Sequence, residues 1–132
     1  MKPFVRPARS ADALEVRRIL DAAMLEPGDV EGRIETGDVF VAGDGNGDEE
    51  RILGTIVLEP IEGERGAHVS AIGVRRRHRG NGLGRRLIRH ALEREGRLTA
   101  RFDDGVRPFY ESLGFAIEPL DERRHRGVVV DD

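Results

Sequence analysis

The sequence predicts an α+β fold, a mixed sheet with helices on both faces, and three observations lead there. Apolar residues recur at helical spacing in two stretches, 16–24 and 83–92. Short apolar runs bounded by glycine-rich or charged turns surround those stretches and read as strands. The last of the longer runs, 67–74, passes into a helix through a loop of arginines and glycines. The resulting order is β, α, β, β, β, α, β, α, β, β, with one short extra helical turn after the first helix. At 132 residues the expectation is one domain, 1–132, large enough to bury a sizeable core.

Each element has its own warrant. Phe4 and Val5 mark a short first strand. Asp12 and Glu15 have capping-box spacing, and Val16, Ile19, Leu20, Ala23 and Met24 share a face, which predicts a helix over 11–25. Pro27-Gly28 should stop it, and 30–35 suit one more helical turn. A strand over 39–42 leads into the polar run 43–50, a hairpin loop by composition. That run lacks the twelve-residue register and closing glutamate of an EF-hand, so a solvated turn is expected and not a calcium site. Strands over 51–59 and 67–74 meet across Glu62-Gly63-Glu64. Leu83, Leu87, Ile88, Ala91 and Leu92 then mark a helix ending near Gly96, and 98–102 form the next strand. A last helix opens near Gly105 with Val106, Phe109, Tyr110 and Leu113 on one face. Pro108 falls in or just past its first turn, where a missing N–H costs least, and Gly114 stands where a C-terminal cap is needed. Strands over 115–118 and 127–130, joined by the charged loop 121–126, close the chain.

Composition narrows the chemistry. The chain has no cysteine, which excludes disulfides, thiolate metal sites and a cysteine nucleophile. His90 and His125 give no metal spacing, and no metal is expected. There is no apolar run of bilayer length and no cationic-then-apolar leader, so the expectation is a soluble, cytoplasmic protein without a membrane partner. Charge is uneven: residues 1–66 hold 8 basic and 15 acidic side chains, and residues 67–132 hold 14 and 10. An acidic first half can steer a cationic partner, but a plain solvated surface explains it better.

The stretch from Val74 to Leu87 carries most of the functional information. Gly80, Gly82 and Gly84 let consecutive N–H groups turn toward one point, and the helix that follows adds its positive N-terminal dipole, so an anion belongs there. The spacing is not the dinucleotide GxGxxG, because the third glycine is missing. It is not a Walker loop either, because the chain's single lysine is Lys2. What fits is Arg79-x-x-Gly82-x-Gly84, within Val74-x-x-x-x-Arg79-Gly80-x-Gly82-x-Gly84. This resembles the coenzyme A signature of the GNAT superfamily of N-acetyltransferases. A second motif, Phe109-Tyr110-Glu111-Ser112-Leu113-Gly114-Phe115, is similar to a segment near the C-terminal end of many members. The resemblance covers about 52–115.

The resemblance implies a GNAT-like, mostly antiparallel sheet of six to seven strands whose central pair is splayed by a bulge. It implies acetyl-CoA as cosubstrate and a primary amine, on a small molecule or a peptide, as acceptor. Amides from Gly80 through Asn81, Gly82, Leu83 and Gly84 to Arg85 would hold the diphosphate, with Arg79 adding charge and Asn81 facing solvent. Ile72, Gly73 and Val74 would pair with the pantetheine arm like an added strand, and an N–H near Ile72 would meet the oxyanion. Tyr110 matches the family's general-acid tyrosine. For the general base, His68 is the candidate beside Glu59, Ser70 or a water chain. His78 is packed or lies near the phosphates. Without a thiol carrier, the simplest transfer is direct attack in a ternary complex. Two departures stand out: Arg76 replaces a proline, and Asp103-Asp104 stands where many members have an asparagine. The resemblance also allows a homodimer, and an acetyl-CoA-binding regulator without turnover. A nucleic-acid binder using Arg75, Arg76, Arg77, Arg79, Arg85 and Arg86 is disfavoured by few aromatics, net negative charge and the lack of a reading helix, so no nucleic-acid partner is expected.

Overall fold

The structure, a computed structural model, describes residues 2–26, 28–45 and 49–131. Pro27, expected to help stop the first helix, and 46–48 of the polar loop lie outside the described residues. The strands are β1 (Pro3–Pro7), β2 (Val39–Asp44), β3 (Arg51–Pro60), β4 (Ala67–Val74), β5 (Arg97–Asp103), β6 (Ala116–Pro119) and β7 (Arg124–Val130). They form one sheet in the order β1-β2-β3-β4-β5-β7-β6, and every neighbouring pair is antiparallel except β4 with β5. The helices are α1 (Ala13–Ala22), α2 (Val30–Glu35), α3 (Leu83–Glu95) and α4 (Arg107–Ser112).

Periodicity explains which face each helix covers. Val16 and Leu20 of α1, with Val30 and Ile34 of α2, bury against Val39, Val41, Val57 and Ala71. On the opposite face Leu83, Leu87, Ile88 and Ala91 of α3, with Tyr110 of α4, pack on Phe40, Ile56, Leu58, Leu98 and Phe102. Strand β2 is buried along its whole length because helices cover both its sides, which is why it reads as a continuous apolar run and not as an alternation. Each fully buried leucine or isoleucine contributes roughly 1.5–3 kcal/mol, so the sheet is held chiefly by these two layers.

One departure from regular pairing positions the site. Leu58 faces Val69 and Val57 faces Ala71, which leaves Ser70 as an extra residue, a bulge that bends β4. Beyond it β4 leaves β5: their parallel pairing is confined to Ala67 with Leu98 and His68 with Thr99. The two strands therefore form a V, with its apex at His68 and Thr99.

Two expectations about element ends are corrected. The Asp12–Glu15 capping box does not form. Asp12 accepts instead from the Arg9 amide at 2.7 Å and from Arg6 at 2.8 Å, so a 3-10 turn over Ser10–Asp12 precedes α1. The helix also ends before Pro27: Met24 takes a left-handed conformation with φ 60°, and the Leu25 amide reaches back to the Leu20 carbonyl. At the other end of the chain, the loop expected over 121–126 is shorter. Asp121 accepts from the amides of Arg123 and Arg124, and this tight turn lets β7 begin at Arg124.

Candidate functional site

The glycine loop builds one wall of a cleft of about 1070 Å³ at the mouth of the V. Gly80 and Gly82 have φ of 83° and 84°, which L side chains rarely adopt, and a Cβ at either would meet open space. Gly84 is glycine for another reason: a Cβ there would meet the Phe109 ring at 3.2 Å, so α3 docks on α4 through its absence. Gly82 is the N-cap of α3 and leaves the first-turn amides without a side-chain partner. Among the described residues, none of the six amides from Gly80 to Arg85 donates to a protein acceptor; the first bond of the helix runs from Arg86 to the Gly82 carbonyl. Six adjacent unpaired donors at a helix N-terminus make a strong anion cradle. The residues present therefore fit a diphosphate.

Opposite lies the free edge of β4. The Arg75 amide donates to the Leu53 carbonyl on β3, and period-two alternation then turns the N–H and C=O of Ile72 and Val74 away from β3 into the V. Arg79 is anchored there, its Nε donating to the Val74 carbonyl at 3.1 Å. An extended, amide-bearing ligand finds the N–H and C=O of Ile72 and the N–H of Val74 free along this edge, while Arg79 occupies the Val74 carbonyl.

Tyr110 closes the inner end. It is buried, stacks on Phe102 with centroids 4.1 Å apart, and meets Phe109 and Phe115 edge-on. Burial pushes its hydroxyl up to about 12, so it stays protonated at any physiological pH. Its hydroxyl has no hydrogen-bond partner among the described residues, and the ring lines the cleft.

Of the residues singled out in the sequence, Ile72, Gly73, Val74, Arg79, Gly80, Gly82, Leu83, Gly84, Arg85 and Tyr110 all line this one cleft. Asn81 is exposed and is not in the wall. His78 joins the lining, and Asp103 does so while Asp104 turns to His125 at 2.9 Å. His68 is elsewhere, in a second groove of about 370 Å³. Its Nδ1 is 2.8 Å from Thr99 Oγ1, across the apex of the V. Burial pushes the His68 imidazole below its ordinary 6.5, Arg101 and Arg126 act in the same direction, and Glu59 opposes them. Sequence reasoning missed Arg101, Arg124 and Arg126. The signal for Arg101 was present, since Thr99, Arg101 and Asp103 alternate with the apolar face of β5.

No helix is long and apolar enough to cross a membrane. Among the described residues no group of three or more metal-ligating side chains could hold an ion.

Comparison with known proteins agrees with this geometry. The profile of the acetyltransferase (GNAT) domain matches residues 35–117. No curated protein matches the chain. Among solved structures, the chain is similar to N-acetylglutamate synthase from Neisseria gonorrhoeae, complexed with coenzyme A and N-acetyl-glutamate, with TM-score 0.79 and 15% identity over 98% of this chain. It spans only 35% of that longer protein. It is also similar to a GNAT-family acetyltransferase from Listeria monocytogenes, with TM-score 0.72 and 15% identity over 98% of this chain and 95% of the other. A third likeness is to an IAA acetyltransferase from Bacillus cereus, with TM-score 0.73 and 16% identity over 98% and 100% of the two chains. At such identities the likeness concerns the fold.

Proposed function

The chain belongs to the GNAT acetyltransferase family, and from that premise we propose that it transfers an acetyl group from acetyl-CoA to a primary amine within a ternary complex. The observation that carries the proposal is the run of six unpaired amides from Gly80 to Arg85 at the mouth of the splayed β4–β5 pair. Acetyl-CoA supplies the acetyl group as an activated thioester.

Each protein group then has a task set by its position. The loop amides bind the diphosphate, each charge-assisted bond being worth roughly 1.5–3 kcal/mol before ordering losses. Ile72 and Val74 align the amide-bearing arm along β4 as a strand would. An N–H from the same edge faces the carbonyl oxygen that gains charge as the amine attacks. Tyr110 donates to the departing sulfur. A hydroxyl pushed up to about 12 is a far weaker acid than an alkyl thiol near 8.5, so it acts as a fixed hydrogen-bond donor and not by full proton transfer. His68, kept neutral by its surroundings, accepts the proton of the amine at the apex.

Calorimetric titration of coenzyme A into the parent and into Gly82→Val tests the reading. A Val Cβ is strained at the left-handed φ of Gly82 and distorts the loop, so affinity should fall about tenfold or more. A loss of roughly 1–3 kcal/mol of stability should accompany it and lower the melting temperature without unfolding the protein. No heat with the parent protein would overturn it. Saturable binding with no thiol release over a broad amine panel would replace it with a regulator that only binds the cofactor.

A further inference from the structure

The second groove lies on the face of the sheet opposite α3. Along β5, Leu98, Ala100 and Phe102 enter the core beneath α3, so Thr99 and Arg101 must point the other way. Arg101 is paired in register with Arg126 of β7, which sets two guanidinium groups side by side on that face. Like charges directly opposite each other destabilise a sheet. Neither charge is well neutralised. Arg126 has one exposed contact to Glu118 at 3.4 Å, and Arg101 has no carboxylate partner among the described residues. At the far rim Arg97 reaches Glu64 only at 3.8 Å. These arginines, with His68 and Thr99, line one hollow of about 370 Å³, and Arg101 also lines the larger cleft. The hollow thus opens at the apex of the V, where β4 and β5 part.

We infer that this hollow is the acceptor seat and that it selects a small amine carrying an anionic oxygen group, a carboxylate or a phosphate, held by Arg101 and Arg126. The inference rests on the acetyltransferase reading above. A guanidinium pair matches such a group bidentately, and the bound anion relieves the repulsion across β5 and β7. Thr99 and Arg101 are two residues apart, about 6.6 Å along the strand, a span within reach of a small zwitterion whose amine sits by His68. The volume suits a free amino acid or an amino-alkyl phosphate and is too small for a folded partner. Of the acidic first half only Glu64 borders this seat, against three arginines, so a polycationic acceptor would meet mostly positive charge there.

The test compares matched acceptors by thiol release at saturating acetyl-CoA: L-glutamate, L-leucine and β-alanine against their carboxamides, and phosphoethanolamine against ethanolamine. The anionic member of each pair should be used at least about tenfold better in kcat/KM, mainly through KM, and Arg126→Gln should erase most of that advantage. Arg126 lines only the second groove, so coenzyme A titration of the variant should match the parent. The same pairs are scored by thermal shift in the presence of coenzyme A, so a slow chemical step does not hide a binding preference. The amino-acid and phosphate arms decide between the two anions. Equal use and equal binding of acids and amides, with coenzyme A still bound, overturns this inference alone. Loss of coenzyme A binding in the parent overturns the acetyltransferase reading and this inference with it.

Discussion

Tyr110 and His68 lie on opposite sides of the V and answer to different physics. The tyrosine is surrounded by Phe102, Phe109 and Phe115, and removing its hydroxyl leaves that packing intact. Tyr110→Phe should therefore lower kcat by about tenfold to a hundredfold with coenzyme A affinity unchanged, as read by steady-state kinetics beside calorimetry. An unchanged kcat would reduce Tyr110 to a packing residue. His68 is faced by Glu59 from β3, Glu64 from the β3–β4 turn, Arg97, Thr99 and Arg101 from β5, and Arg126 from β7. Its folded value lies below 6.5, so it is neutral at pH 7 and competent to take a proton. The rate should fall on the acid side with a midpoint below 6.5, and that limb should vanish in His68→Gln; a limb that survives points to Glu59 or a water chain. Stability follows the same sign. Protonation is harder in the folded protein, so the His68 contribution is whole above 6.5 and is lost as pH falls from there through the folded value.

At the scale of elements, interiors were legible in the sequence and ends were not. The apolar stripes of α1 and α3 predicted which residues are buried, because burial follows from periodicity that a single segment contains. Where a helix starts depends on partners far along the chain. Asp12 turns back because Arg6 and Glu50 form a network with it, which no local motif announces. The stop of α1 is similarly hidden, since a methionine holds a position that glycine normally takes. Met24 is 92% exposed, so little packing offsets its left-handed backbone. Met24→Gly should raise stability by up to about 1 kcal/mol, seen as a higher urea midpoint with unchanged slope. A lower midpoint would show that the methionine side chain has contacts that matter more than its backbone strain. For the site the pattern is similar. The loop and Tyr110 were readable because their chemistry is carried by neighbours in sequence. The Arg101 and Arg126 pair was not, because it is created by the register of β5 on β7.

Over the whole molecule the fold class followed from element order, but the handling of the sheet did not. The elements alone did not say that β7 inserts between β5 and β6, whereas the splay of β4 from β5, expected from the family resemblance, is present as a ladder of only two residue pairs. The sheet is thus nearly two sheets, β1 to β4 and β5 to β6, joined beneath by the layer of α3 that contacts both. Filling the V with coenzyme A should slow amide hydrogen exchange in β4 and β5 far more than in β1 or β2, as hydrogen-exchange mass spectrometry can resolve. Uniform slowing would argue against a ligand laid along the β4 edge. With so short a seam, the distal three strands have the makings of a separate cooperative unit, able to come loose while the rest stays folded. The nucleotide carrier would then be a splint as well as a reagent, and the free protein a target for proteases at the turn over 121–123 whenever its carrier runs low.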